Sequence, residues 1–300
     1  MMNKSKHNFP TGGKQVCSLL FFAITSISFS SGAMAIEPSD GLSFETMLDS
    51  AEYYSSHKQW DDAERMTVMA LRLKPANKTN WFLWSNLAEI RRNLNDKEGA
   101  LTAYDIGLSL QPTSAEMLSG RANLLIEERR LEDALEDLNL LLKNDSTAEW
   151  PRMIRGMVLL DMGDHQRAED DFITLKNHYP NNRQAYNGLA SIRATEGKLE
   201  EAIKLYSQSL SIEPDKEIFF YKVLLQAENG HLTEAAETLR DAMKIYPRNG
   251  NLFIMRAYLH KLNFQNDEAE IALKLAKEYG ADSHLIENIF PKNVISKGKK

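Results

Sequence analysis

Seven alanines recur down this chain at nearly equal intervals: Ala63, Ala100, Ala134, Ala168, Ala202, Ala235 and Ala269. The spacings are 37, 34, 34, 34, 33 and 34 residues. Five prolines keep the same beat twelve residues later, at Pro75, Pro112, Pro180, Pro214 and Pro247, with Ser146 and Ala281 holding that place in the third and seventh units. This period constrains the fold more than composition does. A single supersecondary unit of that length cannot bury its own apolar face, so successive copies must stack on one another.

Each unit reads as two helices. Segments such as LEDALEDLNLLL, starting at Leu131, carry apolar residues at i, i+3, i+4 and i+7, the stripe of an amphipathic helix. The proline stands where the second helix has to stop, because it cannot continue the hydrogen-bond ladder. Gly163, Gly197 and Gly230 fall in the turn between the two helices. With 43% hydrophobic and 26% charged residues, and only 15 glycines and 9 prolines in 300, the chain can fold and leans towards helix. Two irregularities stand out. Pro75 to Pro112 spans 37 residues, placing three extra residues around Lys78–Asn80, and Pro214 to Pro247 spans 33, with one residue lost near Asp215.

The pattern resembles the tetratricopeptide repeat family. In that family's frame the first helix carries a small residue at position 8, here Ala51, Ala88, Ala122, Gly156, Ala190, Val223 and Ala257. Position 27 is small at Ala70, Gly107, Ala242 and Ala276 but not at Leu141, Leu175 or Ser209. Large residues at positions 4 and 24 include Trp84, Tyr104, Phe172, Tyr186, Tyr206, Phe219 and Phe253. Small residues let paired helices approach, and the large ones fill the space around them. The resemblance implies an all-α helix–turn–helix solenoid with a right-handed superhelix. It divides the chain into seven repeats at 44–77, 81–114, 115–148, 149–182, 183–215, 216–249 and 250–283, with a C-terminal cap and basic tail over 284–300.

Ahead of the repeats lies a segment of another kind. Lys4, Lys6 and Lys14 precede an apolar, serine-rich stretch from Val16 to Phe29, and Ala33-Met34-Ala35 follows as a small-x-small cleavage site. The apolar stretch suits a signal peptide better than a membrane span. The reading is a cleaved signal over 1–35 and a linker over 36–43, giving a periplasmic or secreted protein of a Gram-negative bacterium with no membrane span after cleavage. Cys17, the only cysteine, precedes most of the apolar stretch, so the mature chain carries no thiol and no lipid. Losing three of the 36 basic residues and none of the 42 acidic ones takes the net charge from −6 to −9, which argues against a nucleic-acid partner.

No catalytic, cofactor-binding or metal-binding signature is present. The chain has no H-E-x-x-H, no G-x-S-x-G and no phosphate-cradling glycine loop. The histidines are unpaired at i, i+4, and acidic clusters such as Glu169-Asp170-Asp171 read as solvated helix faces. Asn77-Lys78-Thr79 and Asn144-Asp145-Ser146 match glycosylation sequons, which recur by chance.

The reading is therefore a binding protein. Similarity to the family implies a concave groove lined by positions 2, 5, 9 and 12 of the first helices. A carboxylate clamp is excluded, because Leu48 and Glu52 stand where it needs lysine and asparagine. The first three units present Glu45, Glu52, Glu89, Arg92, Glu116 and Asn123, on balance acidic. Trp150, Met153, Met157 and Leu160 then form an apolar stripe, Gln184, Asn187 and Ser191 a polar one, and Phe220, Leu224, Ile254 and Tyr258 a second apolar one. The partner-binding residues read from this are Trp150, Met153, Met157, Phe220, Leu224, Ile254 and Tyr258. The bland alternative is that superhelical curvature buries them. The expected partner is a protein or peptide with an apolar segment and a basic flank, bound by an adaptor of envelope assembly or secretion. The alternative is a carbohydrate-binding or cell-wall-remodelling accessory module.

One expectation concerns charge inside the fold. Arg121 and Arg155 occupy position 7, and sixteen residues on come Asp137 and Asp171, which antiparallel packing within a repeat should bring opposite them. Arg256 has Ala272 at the matching place and should lack such a partner.

Overall fold

A computed structural model describes residues 41–75 and 77–290; the signal-peptide and basic-tail readings lie outside them. The described residues contain fifteen α-helices and no strand. They fall into two compact units that meet between Ala148 and Glu149 in the sequence.

The first unit holds three helix hairpins. They are α1 (Phe44–Ser56) with α2 (Trp60–Leu73), α3 (Trp81–Asn93) with α4 (Lys97–Leu110), and α5 (Ala115–Glu127) with α6 (Leu131–Asn144). The second unit holds four more: α7 (Glu149–Asp161) with α8 (His165–His178), α9 (Arg183–Thr195) with α10 (Leu199–Ile212), α11 (Lys216–Glu228) with α12 (Leu232–Ile245), and α13 (Gly250–Leu262) with α14 (Asn266–Glu278). A short α15 (Ser283–Ile289) follows and packs on α13. Within each unit every hairpin packs on the next through its second helix.

The sequence beat is a burial beat. All seven period-marking alanines are 0% exposed. The position-8 residues opposite them are buried too, from Ala51 to Ala257. A larger side chain at either place would hold the paired helices apart. Between them sit Trp84, Tyr104, Phe172, Leu124, Leu138 and Leu175, all fully buried. Phe172 lies beside Gly156 of α7 and Gly188 of α9, where added methyl groups would press on its ring.

Helix ends follow local chemistry. Ser43, Asp96, Ser114, Asp164, Asn182, Asp215, Asn249 and Asp282 each accept a backbone N–H of the first turn they cap. The seven turns inside the hairpins each contain a left-handed residue: Lys58, Asn95, Arg129, Gly163, Gly197, Gly230 and Phe264. Glycine takes this conformation without strain and asparagine at little cost, whereas Lys58, Arg129 and Phe264 are strained by it. Second helices that precede a proline stop two residues before it, as α4 does at Leu110. Asn144 ends α6 at the same place without one, where Asp145 turns to an extended backbone. The three extra residues before the second repeat are ordered. Lys78–Asn80 forms a 3₁₀ turn, and buried Asn80 donates through Nδ2 to the Lys74 carbonyl at 2.5 Å.

Both expected arginine–aspartate pairs form. Arg121 grips Asp137 side-on, Nε to Oδ2 at 2.9 Å and Nη2 to Oδ1 at 2.6 Å. Arg155 grips Asp171 the same way, at 2.8 and 2.7 Å. The aspartates are 0% and 2% exposed. Each site recruits a third charge: Asp105 of α4 at 2.5 Å from Arg121, and Arg152 at 2.8 Å from Asp171. Burial pushes the Asp137 carboxyl above the usual carboxylate range against the pull of Arg121. Burial likewise opposes the Arg121 charge, but hydrogen bonds to Asp137 and Asp105 outweigh it and hold Arg121 above the ordinary arginine value. A second charge pattern recurs between neighbouring repeats: Arg91 of α3 binds Glu64 of α2 at 2.8 Å, and Arg193 of α9 binds Glu169 of α8.

Candidate ligand-binding grooves

The second unit contains a cavity of about 650 Å³ bounded by three consecutive first helices, α7, α9 and α11. Met157 and Leu160 come from α7, Gln184, Asn187 and Ser191 from α9, and Ile218, Tyr221 and Leu225 from α11. Phe172 and Tyr206, from second helices, also line it. The periodicity explains the assembly: residues three and four apart on one helix share a face, so Met157 and Leu160, or Asn187 and Ser191, lie side by side.

Its exposed apolar side chains are Met157, 47% exposed, and Tyr221, 49% exposed. Tyr221 stacks on Tyr206, with centroids 6.3 Å apart and ring planes at 19°. Burial first, and Tyr221 second, push the Tyr206 hydroxyl up to about 12. At the rim Arg183 bridges to Glu213 at 3.3 Å and Asp215 at 3.2 Å, while Glu217, which also lines the cavity, makes no ion pair among the described residues. One polar atom is left over. Asn187 donates through Nδ2 to Gln184 at 3.0 Å, while its Oδ1 is buried with no partner. A buried acceptor without a donor is costly, and a ligand N–H would satisfy it.

The seven residues read from the sequence do not gather in one place. Met157 lines the 650 Å³ cavity. Trp150 and Met153 sit half-buried in the first turns of α7, where the Met153 sulfur accepts weakly from Asn182 at 3.8 Å. Phe220 is buried and contributes to a neighbouring 580 Å³ cavity with Tyr221 and Tyr279. Leu224 and Tyr258 pack, half-buried, against the core of the second unit, and Ile254 is 0% exposed within it. Beyond them α15 packs on α13. Its following residue, Phe290, meets the Tyr258 ring edge-on at 6.5 Å. Tyr206, Ile218, Tyr221 and Leu225 were missed. Positions 3, 6 and 10 of a first helix, here Ile218, Tyr221 and Leu225, form one wall of the 650 Å³ cavity. The adjacent aromatics Phe220 and Tyr221, which cannot both face the core of one helix, are the sequence signal for that wall.

The first unit has a groove of different character. A cavity of about 670 Å³ is lined by Leu48, Asp49 and Glu52 of α1, Trp60 of α2, and Phe82 and Glu89 of α3. Its charged lining residues are all acidic. Glu89 is engaged by the Tyr104 hydroxyl and by Arg92 at 3.2 Å, and Arg92 also reaches Glu127 at 3.2 Å. Burial, then the Glu89 carboxylate, raise the Tyr104 hydroxyl above its usual range. Glu116 accepts from Ser85 at 3.0 Å. Among the described residues no group of His, Cys, Asp and Glu is arranged to hold a metal ion, and no helix is long and apolar enough to cross a membrane.

Comparison with known proteins agrees with this geometry. A tetratricopeptide repeat family model matches residues 86–149 and 155–217. A tetratricopeptide repeat protein from Parabacteroides merdae superposes with a TM-score of 0.63 at 23% identity, covering 82% of this chain and 96% of that one. YrrB, described as a TPR protein with an unusual peptide-binding site, superposes at 0.50 with 20% identity, covering 62% of this chain and 95% of that one. Among curated proteins, the human Protein O-mannosyl-transferase TMTC3 is 27% identical over 208 residues, 68% of this chain. The chain spans only about a fifth of the length of that relative and of its mouse counterpart. Buried alanine beat, stacked hairpins, family model and solved folds coincide: the chain carries tetratricopeptide repeats, matched by the family model over residues 86–149 and 155–217 and built in the tetratricopeptide repeat fold.

Proposed function

We propose that this protein is a non-catalytic adaptor that binds an extended apolar segment of a partner protein in the α7–α9–α11 groove. The observation that carries the reading is the 650 Å³ cavity with exposed Met157 and Tyr221 at its walls and the unpartnered Asn187 Oδ1 within it. An apolar pocket with one buried acceptor suits a peptide, whose side chain fills the pocket while a backbone N–H reaches the amide. Flexible Met157 lets the pocket take more than one apolar side chain. Tetratricopeptide repeats in general bind protein or peptide partners, which supports an adaptor role. A basic flank on the partner suits the acidic lining of the first-unit groove. Export follows from the signal-peptide reading of residues 1–35, with action in envelope assembly or secretion.

The test is a random-peptide display screen against the purified chain, repeated with Asn187→Leu and Met157→Glu. The expected consensus is an apolar residue with lysine or arginine nearby, lost in both variants. A consensus without apolar residues, or one that both variants retain, sinks the groove assignment. Binding of glycan or peptidoglycan with no peptide consensus favours the carbohydrate module instead. Export is checked by intact mass on protein from the producing cell. The expected species begins at Ile36, and a mass retaining Cys17 overturns that part.

A further inference from the structure

The third repeat shows what an arginine at position 7 needs. Arg121 is held by Asp137 from its own second helix and by Asp105 from the second helix before it, at 2.6 and 2.5 Å. The last repeat keeps the arginine, as Arg256, and loses both acids. At the same offsets stand Ala272 in place of Asp137 and Arg240 in place of Asp105. A site built as acid–arginine–acid in one repeat is alanine–arginine–arginine in another. Neither Arg240 nor Arg256 makes an ion pair among the described residues. The nearest acid along α12, Asp241, is engaged by Lys244 at 2.8 Å and feels Arg240 only as a weaker, longer-range charge.

These two arginines line a cavity of about 460 Å³ in the second unit, together with Leu239, Met243 and Leu259. It contains no carboxylate and shares no lining residue with the α7–α9–α11 groove. Asn263 and Gln265 also line it, and Phe264 between them holds its ring 90% exposed on a left-handed backbone, φ 60°. A bulky residue in that conformation is strained, and an apolar ring in water gains nothing from staying there. Two unpaired guanidinium groups beside an apolar pocket are complementary to a carboxylate carried next to an apolar side chain.

We propose that this cavity is a second docking site, which takes an acidic–apolar segment of a partner protein. An aspartate or glutamate of the partner sits between Arg240 and Arg256, supplying from outside the carboxylate that exposed Asp105 supplies to the outer edge of Arg121. The inner place, that of Asp137, is closed by Ala272, which is 2% exposed. The neighbouring apolar side chain enters among Leu239, Met243 and Leu259, and Phe264 closes over it. A protein carboxylate is favoured because the same scaffold already accepts one at the equivalent place in the third repeat. The site is independent of the groove proposed above, so either can fail alone.

The test uses the full chain and two labelled, end-blocked peptides, one alternating glutamate with leucine and one alternating lysine with leucine. The glutamate peptide should bind saturably, and Arg240→Gln and Arg256→Gln should each weaken it at least about tenfold without moving the melting temperature. Whatever the lysine peptide binds, its affinity should not change in those variants. Ala272→Asp should restore an internal partner for Arg256 and weaken the glutamate peptide while leaving the fold intact. Phe264→Gly should weaken binding yet raise the melting temperature, since glycine suits the left-handed turn. No saturable binding of the glutamate peptide, or binding that both arginine variants keep, overturns the proposal. So does displacement of the peptide by equal concentrations of inorganic phosphate or decanoate, which would mark a small-anion or lipid site.

Discussion

Arg121 shows how differently two carboxylates on one guanidinium count. Asp137 is 0% exposed and bound side-on, whereas Asp105 holds the other edge with its side chain 62% exposed. Asp137→Ala leaves a partly buried arginine charge without its inner partner and should cost about 3 kcal/mol of unfolding free energy. Asp105→Ala, on the wet side, should cost under about 1 kcal/mol. Denaturant titration of both variants checks the contrast, and equal costs would mean that the buried pair has no special weight. The Arg121–Asp137 pair was legible because sixteen residues bring positions 7 and 23 opposite each other in any antiparallel hairpin. Asp105 was not, because it comes from the preceding repeat, where hairpin spacing gives no guide. Tyr206 supplies a pH signature. Its hydroxyl is raised to about 12 by burial, while an unfolded tyrosine titrates near about pH 10. Between those values the unfolded chain loses this proton first, so stability falls as pH rises through that window; below it the group contributes nothing to the slope. Tyr206→Phe removes the proton and should lessen the alkaline loss by up to about 2–3 kcal/mol. Urea melts below and above pH 10 test it; identical losses in the two proteins would end the assignment.

At the scale of helices and turns, repetition made the fold readable and the exceptions mark where it was not. The buried alanines, the helix stops before prolines and the glycine turns each follow from what the residue type allows: close helix approach for alanine, no further ladder bond for proline, a left-handed backbone for glycine. The turns at Lys58, Asn95, Arg129 and Phe264 gave no such signal, since they adopt the left-handed conformation because the hairpin imposes it. Lys58, at φ 57°, is exposed and makes no side-chain ion pair among the described residues. Lys58→Gly should therefore stabilise the protein by up to about 1 kcal/mol, the left-handed penalty less the extra chain entropy of glycine. The opposite change, Gly230→Val at φ 81°, should destabilise by more than about 1 kcal/mol. Thermal melts of the two variants check both signs together. Helix α13 shows where reading a helix alone falls short, for Ile254 is 0% exposed and Tyr258 is half-buried. Ile254 and Tyr258 look like groove residues when their helix is read alone. The sequence did suggest a C-terminal cap after the last repeat, but not that Phe290 would meet the very face on which Tyr258 lies.

For the whole molecule, the two grooves differ in chemistry, and that difference can be measured without knowing how the units are arranged. Asp49 and Glu52 line the first-unit groove, are exposed, and make no ion pair among the described residues. The second-unit groove offers Met157 and Tyr221, and of its charged lining residues Arg183 and Asp215 are paired with each other while Glu217 alone is not. If a partner segment uses both, attraction to the acidic groove is long-range and screened by salt, with its effect mainly on association rate. Contact with the apolar groove is short-range and governs dissociation. For a peptide drawn from the display screen, Asp49→Asn with Glu52→Gln should slow association at low salt and flatten its salt dependence, leaving dissociation nearly unchanged. Tyr221→Ala should instead speed dissociation, by about thirtyfold if the ring contributes about 2 kcal/mol, at any ionic strength. Stopped-flow kinetics at two salt concentrations separate the effects. If the acidic pair alters only dissociation, or Tyr221→Ala alters neither rate, the division of labour between the grooves is wrong.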